Sequence, residues 1–263
     1  MSSLEVALVQ QASSLDPAEN RDAVRSALKS IAARGPVPGL VVLPEVFARD
    51  FGKPGSDVSE FAEDLEGPFV SAVADAAAEH GTTVVAGMFE RSEDADRPYN
   101  TLVVVGPDGL RATYRKIHLY DSFGYRESDR LLAGGTEPVV VDVAGVPVGL
   151  MTCYDLRFPE LARRLTDRGA ELLVLPAAWV AGEGKVHHWR TLVTARAIEN
   201  TVYVAACGQP GPRYSGHSMV VDPAGRTCST EAGEDEALVT ATVDHAVLEE
   251  VRALNPSLAN RRL

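Results

Sequence analysis

The chain has 263 residues, enough for one large α/β domain or two small ones with a substantial core. Hydrophobic residues make up 45% and charged residues 24%, an ordinary balance for a globular protein that argues against disorder and membrane spans. The formal net charge of -12 gives an average field that repels phosphate backbones and anionic lipid. We therefore expect neither nucleic acid nor membrane as a partner.

The amino-terminal residues and the cysteines indicate the compartment. Residues 1–5 run directly into an apolar strand pattern, without a basic region, an apolar signal core or a cleavage site, so a cytoplasmic location is expected. Cys153, Cys207 and Cys228 are too few and too widely spaced for a disulfide framework or a zinc cluster. We expect free thiols, no metal and no other cofactor.

The first third of the chain predicts a β-α-β opening followed by a helix and a strand. Strands are expected at 5–10 and 39–44, with a helix at 16–34 between them. Residues 59–80 have helical spacing that is broken around Gly67-Pro68, and 82–90 is again an apolar strand.

Two hairpins are predicted further along. Residues 100–105 and 110–115 flank a turn with the sequence Gly-Pro-Asp-Gly, and 216–221 and 226–230 flank a second turn, Asp-Pro-Ala-Gly. The remaining strands are expected at 139–143, 146–152, 172–175, 202–206 and 237–243, and helices at 158–168, 187–200 and 245–253.

Many of these strands are apolar on both faces, which implies sheets covered on each side, by helices and by another sheet. No stretch is rich enough in Ser, Gly or charge to be a long linker. The sequence therefore predicts an α/β fold with a single domain over 1–263.

Cys153 has the placement of a nucleophile. It ends the apolar run 146–152, and Pro159 is well placed to open the next helix. A sulfur at such a strand-to-helix turn lies near a helix N-terminus, which favours the thiolate. The alternative is that Cys153 is a buried packing residue, because free cysteines are among the most buried residues.

Two other side chains follow predicted strands in the same way. Glu45 comes directly after the strand at 39–44, and Lys116 directly after the strand at 110–115. Ligands of open α/β sheets bind at the carboxyl ends of strands, so we expect both to lie near Cys153. His118 is a competing base, since it shares a face with Lys116 if the strand continues.

Three motifs follow one another along the chain. They are Leu43-Pro44-Glu45, Tyr114-Arg115-Lys116-Ile117-His118-Leu119 and Cys153-Tyr154-Asp155-Leu156-Arg157-Phe158-Pro159-Glu160-Leu161. In that order they resemble the three catalytic motifs of the nitrilase superfamily of carbon-nitrogen hydrolases. Residues 196–206 and 216–225 also resemble that family, so the likeness covers essentially the whole chain.

The resemblance implies a four-layer α-β-β-α sandwich and a Glu-Lys-Cys triad. Glu45 would be general base and later general acid, Lys116 would stabilise the tetrahedral intermediate, and Cys153 would form a thioester. The backbone N–H of Tyr154 would complete the oxyanion hole. Glu127 matches a second glutamate near the substrate; the alternative for it is a polar loop residue.

The residues after the cysteine favour amides as substrates. Nitrile-cleaving members typically carry Trp-Glu there, whereas Tyr154-Asp155 resembles the ω-amidase-like and deaminated-glutathione-amidase-like branches. The expected partners are then water and a small, carboxylate-bearing amide that releases ammonia. Arg157 either binds the substrate carboxylate or braces Asp155 or a neighbouring subunit.

The resemblance also implies a homodimer formed through helices near the active site. The tail at 254–263 is too polar for a core element, and one hypothesis is that it crosses onto a partner subunit. The loops at 48–57, 120–130 and 180–185 are expected to shape the pocket.

Other functions stay open from sequence. They are nitrilase, N-carbamoyl or acyl-transfer activity of the same superfamily, a catalytically silent binding protein on this fold, and a thiol redox protein. The joint presence of Glu45, Lys116 and Cys153 speaks against a silent protein. The redox alternative lacks a second cysteine near Cys153 in sequence.

Overall fold

Two β-sheets lie face to face between two layers of helices. The computed structural model describes residues 3–230 and 232–262. The first sheet has six strands, in the spatial order β13 (Ala237–Asp244), β1 (Ser3–Gln10), β2 (Leu40–Val42), β3 (Thr83–Glu90), β4 (Tyr99–Gly106) and β5 (Gly109–Arg115). The strands β1, β2 and β3 are parallel, and the other pairs of this sheet are antiparallel.

The second sheet has five strands. In spatial order they are β12 (Met219–Val221), β11 (Tyr203–Gly208), β10 (Leu172–Ala177), β9 (Val146–Leu150) and β8 (Val140–Val143). A separate two-stranded ribbon, β6 (Asp121–Ser122) and β7 (Tyr125–Arg126), joins the two halves of the chain.

Five α-helices and three short 3-10 turns complete the described part of the chain. The helices are α1 (Pro17–Ala32), α2 (Pro68–His80), α3 (Pro159–Asp167), α4 (Lys185–Asn200) and α5 (His245–Leu254). The 3-10 turns are Ser59–Phe61, Glu127–Asp129 and Cys153–Arg157. As predicted, the helical segment at 59–80 is broken before Pro68.

Local sequence explains where the first helix begins and which face it buries. The Asp16 carboxylate caps α1 by accepting a 2.8 Å hydrogen bond from the N–H of Ala18, while Pro17 stands where a missing N–H costs nothing. Val24 and Leu28, one helical turn apart, are fully buried against the first sheet.

Alternation along β1 shows how the layers are stacked. Ala7 and Val9 pack in one cluster with the buried faces of α1 and α2, whereas Val6 and Leu8 pack in another with side chains of the second sheet. A period of two thus directs one face of the strand to helices and the other to the second sheet. The α/β fold and the α-β-β-α sandwich are confirmed.

The second predicted hairpin is wrong in its outer strand. Residues 226–230 form no strand, and only an isolated bridge joins Val221 to Thr227. The Asp222 carboxylate accepts hydrogen bonds from the N–H groups of Ala224 and Arg226, as expected for a turn. Beyond it, the N–H of Cys228 still donates to the Val220 oxygen at 2.9 Å, but the N–H of Val220 donates to the Ser229 hydroxyl at 3.1 Å, so a side chain takes the place of the next backbone acceptor.

The carboxyl-terminal segment lies against its own chain within the described residues. Arg261 donates a 2.6 Å hydrogen bond to Asp167 at the end of α3. A crossing of the tail to a partner stays a prediction.

No described helix is both long enough and apolar enough to cross a membrane.

Candidate active site

Four ionisable side chains that the motifs single out meet between the two sheets. Glu45 follows β2, Lys116 follows β5, Glu127 opens the 3-10 turn after β7, and Cys153 follows β9. Glu45 exposes 1% of its surface, Lys116 and Glu127 2% each, and Cys153 8%. Charged groups are rarely buried to this extent unless they are paired.

Lys116 lies between the two glutamates. Its Nζ is 2.8 Å from Glu45 Oε1 and 3.0 and 3.1 Å from the two carboxylate oxygens of Glu127. Burial alone would lower the pKa of Lys116, but the charges of Glu127 and Glu45 raise this pKa well above its usual range. Lys116 is therefore a buried ammonium whose position is fixed by two carboxylates.

The surroundings of Glu127 act on its pKa in opposite directions. Burial, followed by the charge of Glu45, raises the pKa of Glu127, while Lys116 acts in the opposite direction. The N–H of Tyr120 donates to Glu127 Oε2 at 2.5 Å, which ties the carboxylate to the loop at the cavity mouth. The structure thus brings Glu127 into contact with Lys116 at the wall of the cavity.

The surroundings of Cys153 favour the thiol, contrary to the expectation that its turn favours the thiolate. Burial, reinforced by the charge of Glu45, raises the pKa of the Cys153 thiol well above its usual range, although Lys116 opposes this. Cys153 lies at the start of a 3-10 turn, and α3 begins only at Pro159, so the chain does not pass directly from the strand into an α-helix at the cysteine. A base is needed to remove the proton.

The backbone at Cys153 is held in an uncommon conformation by hydrogen bonds across its turn. Its φ is +44°, in the left-handed region that non-glycine residues rarely occupy. The N–H of Thr152 donates to the Asp155 carboxylate at 2.8 Å, and the N–H of Asp155 donates to the Thr152 backbone oxygen at 2.9 Å. This conformation brings the Cys153 side chain to the wall of the cavity.

Asp155 binds the turn of Cys153 to the segment that carries Lys116. Its fully buried carboxylate accepts hydrogen bonds from Tyr114 Oη at 2.6 Å, from Thr152 N at 2.8 Å and from His118 N at 3.1 Å. The ring Nδ1 of His118 lies 2.7 Å from the same carboxylate. His118 therefore belongs to this network, and it does not line the cavity, which weakens it as an alternative base.

A glycine in β3 makes room for the loop that carries Glu45. A Cβ atom on Gly87 would lie 2.2 Å from the backbone nitrogen of Val46, a distance that real side chains do not adopt. Val46 itself has a φ of +44°. The loop then turns Glu45 toward the second sheet, where the N–H of Ala178 donates to its Oε2 at 2.7 Å.

The cluster opens into a cavity of about 330 Å³. All three loops predicted to shape the pocket contribute to its wall, and so does the Tyr154 side chain. Tyr154 packs edge-on against Tyr120 with 5.0 Å between ring centroids. The wall also carries four cationic side chains besides that of Lys116: Lys53, Arg157, Lys185 and Arg213.

Arg157 faces the cavity instead of Asp155. Its guanidinium lies 5.0 Å from the ring centroid of Trp179, and its Nη2 lies 3.4 Å from His188 Nδ1. The hypothesis that Arg157 braces Asp155 is therefore wrong within the described chain, because that carboxylate is occupied by Tyr114, Thr152 and His118. These donors leave no free lone pair on the Asp155 carboxylate for Arg157.

Lys185 is a second cavity cation that the sequence did not single out. Its Nζ is 3.2 Å from the Tyr120 hydroxyl and 3.9 Å from the ring centroid of Phe123. Burial and, to a smaller extent, the Arg157 guanidinium lower the pKa of Lys185. Within the described ranges, neither Lys185 nor Arg157 forms an ion pair with a carboxylate.

Sequence reasoning also missed Asn100 and the N–H of Ala178, both of which bind Glu45. Asn100 begins an otherwise apolar strand, and a buried polar residue at such a position was an available signal. A backbone donor leaves no signal of this kind. No group of three or more His, Cys, Asp or Glu side chains in the described residues is arranged to hold a metal ion.

Comparison with known proteins identifies the family. The model of the family described as carbon-nitrogen hydrolase matches residues 5–253. The chain belongs to the carbon-nitrogen hydrolase family. This confirms the predicted resemblance to the nitrilase superfamily, and the enzymes of the family are hydrolases.

The relatives also agree with the predicted amidase branch. A deaminated glutathione amidase of Escherichia coli O157:H7 is 43% identical over 224 residues, which cover 85% of this chain and 84% of the relative. The human omega-amidase NIT2 is 35% identical over 273 residues, covering 100% and 96%. A crystal structure of a carbon-nitrogen hydrolase superfamily protein from Xanthomonas campestris has a TM-score of 0.89 and 33% identity, covering 100% and 98%.

Proposed function

We propose that this hydrolase is an amidase that cleaves a small, carboxylate-bearing amide to an acid and ammonia through a thioester on Cys153. The observation that carries the proposal is the buried Lys116 ammonium, held between Glu45 and Glu127, with Cys153 at the wall of the same cavity. The names of the amidase relatives support the same reaction.

Acylation begins when Glu45 takes the proton of the Cys153 thiol and the sulfur attacks the amide carbonyl carbon. The carbonyl oxygen becomes negative, and the buried Lys116 ammonium stabilises it. The backbone N–H of Tyr154 is the second donor to this oxygen. Glu45 then gives its proton to the amide nitrogen, the C–N bond breaks, and ammonia leaves.

Deacylation repeats the same proton transfers with water. Glu45 takes a proton from water, whose oxygen attacks the thioester carbonyl carbon, and Lys116 again stabilises the oxyanion. The C–S bond breaks, and the sulfur recovers the proton from Glu45. Glu127 keeps Lys116 oriented throughout, since both of its oxygens accept from Nζ.

The cavity cations support an anionic substrate. Arg157 and Lys185 face the same space without an ion-pair partner in the described chain, although the protein as a whole has a net charge of -12. A guanidinium binds a carboxylate through two parallel N–H donors, so Arg157 is the proposed partner of the substrate carboxylate.

Ammonia release is the first test. The protein is incubated with succinamate, glutaramate and 2-oxoglutaramate, and ammonia is measured. We expect release with at least one of these amides by the natural chain and background release by Cys153→Ala. No release from any amide, or equal release by the variant, would contradict the proposed activity.

The carboxylate contact is tested with a charged and a neutral amide of similar length. Arg157→Met is expected to raise the KM for succinamate by about 10-fold to 100-fold, because hydrogen bonds to a charged group are lost. The KM for butyramide should change little. Arg91→Met removes an exposed arginine outside the cavity and serves as the control. Equal effects on both amides would refute the contact.

A further inference from the structure

Asn100 lies fully buried near the beginning of β4, between β3 and β5. It pairs with Phe89 of β3, and its backbone oxygen accepts a 2.8 Å hydrogen bond from the N–H of Lys116. The backbone of Asn100 is thus fixed from both sides by the sheet. Because the backbone is fixed, the fold also fixes where the Asn100 side chain begins.

The Asn100 side chain donates to both glutamates of the site. Its Nδ2 is 2.8 Å from Glu45 Oε1 and 3.4 Å from Glu127 Oε1. Both neighbours are carboxylate oxygens, so the amide must present its NH2 group to them. With Lys116, Asn100 is a second donor that bridges the two carboxylates.

The Asn100 amide is used on its donor side only. Its Oδ1 is buried and has no hydrogen-bond donor among the described residues. A leucine of similar volume would fill the same space without a buried polar atom, and burial of an unpaired oxygen is unfavourable. Packing alone therefore does not account for an amide at this position.

The hydrogen bonds to Glu45 are divided unequally between its two oxygens. Oε1 accepts from Lys116 Nζ and from Asn100 Nδ2, both at 2.8 Å, which occupies its two lone pairs. Oε2 accepts only from the N–H of Ala178, at 2.7 Å. One lone pair therefore remains open in the described structure, and it belongs to Oε2.

We infer that Asn100 is a positioning residue that saturates Oε1 of Glu45 and so makes Oε2 the oxygen that exchanges protons. The S–H bond of Cys153 breaks, an O–H bond forms at Oε2, and the sulfur attacks the amide carbon. The same Oε2 proton then passes to the leaving nitrogen as the C–N bond breaks. This inference rests on the proposed function.

Two substitutions of nearly constant volume test this role. Asn100→Leu removes the donor, and Asn100→Asp keeps the shape but puts an acceptor where the donor was. The matched control is Thr101→Val, which removes a buried 2.7 Å hydrogen bond to Glu90 on the opposite face of the same strand. Urea unfolding reports whether each variant is folded, and Asn100→Ser replaces any variant that is not.

We expect kcat for the amide to fall by about 100-fold in both Asn100 variants, because a misplaced base costs about this much. KM should change by less than about threefold, since Asn100 acts through Glu45 and does not touch substrate. Thr101→Val should keep the natural kcat. The inference is overturned if Asn100→Asp has the kcat of Thr101→Val, or if the substitutions change only KM.

A second measurement separates this inference from the proposed function. Proton removal from Cys153 is followed without turnover, as the rate of its alkylation by iodoacetamide, with peptide mass spectrometry to distinguish Cys153 from Cys228. The rate should be at least about tenfold lower in both Asn100 variants than in Thr101→Val. Equal rates would overturn the inference. If no amide is cleaved but alkylation is slowed as expected, the proposed function fails and the role of Asn100 stands.

Discussion

At the scale of single residues, the site is a buried group of charges that stabilise one another. Lys116 is the one cation in direct contact with Glu45 and Glu127 among the described residues. Removal of one partner from a buried ion pair leaves uncompensated charge, which costs about 3–5 kcal/mol. We therefore expect both the stability of the protein and its proposed chemistry to depend on Lys116.

Lys116→Met is expected to lower the free energy of unfolding by about 3–5 kcal/mol, because the two carboxylates lose their cation. The double variant Lys116→Met/Glu127→Gln should recover part of this loss, since one buried carboxylate becomes neutral. Urea unfolding measures both. Lys29→Met, at an exposed position of α1, is the control and should be near neutral.

Ammonia release by the same variants separates an effect on activity from an effect on stability. Both Lys116 variants should be inactive even where the double variant regains stability, because neither has an ammonium for the oxyanion. An unfolding free energy for Lys116→Met equal to that of Lys29→Met would contradict the account of the buried charges.

At the scale of elements, the site residues follow the ends of strands, and close contacts between backbone segments fix the positions of their side chains. β2 ends at Val42, and the chain must cross β3 before it turns Glu45 toward Ala178. This crossing is possible because Gly87 has no side chain; the N–H of Ala48 donates to the Gly87 oxygen at 3.0 Å. The position of the proposed base thus depends on a glycine in a neighbouring strand.

Gly87→Ala is expected to move the Glu45 loop, because its new methyl group meets the Val46 backbone and cannot rotate away. We expect a loss of about 1–3 kcal/mol in stability and a kcat at least about tenfold lower. Thermal unfolding and ammonia release measure the two effects. Gly135→Ala, at an exposed glycine where a new methyl group would have no neighbouring atom within 4 Å, should have neither effect. An active, stable Gly87→Ala would contradict this role.

At the scale of the whole molecule, an acidic protein encloses a cavity lined by cations. The net charge is -12, yet Lys53, Arg157, Lys185 and Arg213 converge on the same cavity wall. The average charge of a protein acts on its solubility and on distant partners, whereas a ligand responds to the groups that it touches. Composition alone therefore did not indicate this site.

The homodimer implied by the family resemblance is a prediction at the same scale. Light scattering at micromolar concentration should give about twice the chain mass of 28.1 kDa. A mass of one chain would contradict it. Deletion of 255–263 tests the tail: a shift toward one chain supports a crossing to the partner, and an unchanged mass supports the contact of Arg261 with Asp167 in the same chain.

The sequence by itself determined most of the strands and helices and the side chains that follow the core strands. Apolar periodicity located the core strands, and Gly67-Pro68 located the break before α2. Three motifs indicated the family and pointed to Glu45, Lys116 and Cys153. These features are local, because a period, a turn or a motif is written in neighbouring residues.

Only the tertiary structure decided the burial of Cys153, which raises the pKa of its thiol, the hydrogen bonds of Asp155 and the contacts of Asn100. Each depends on atoms a few ångströms apart that come from distant segments: Glu45 Oε2 meets a backbone N–H 133 residues away. Burial and neighbouring charges set a pKa, and geometry sets which lone pair is free. Neither quantity is contained in a local pattern, so the sequence pointed to the proposed reacting groups and only the fold determined their surroundings.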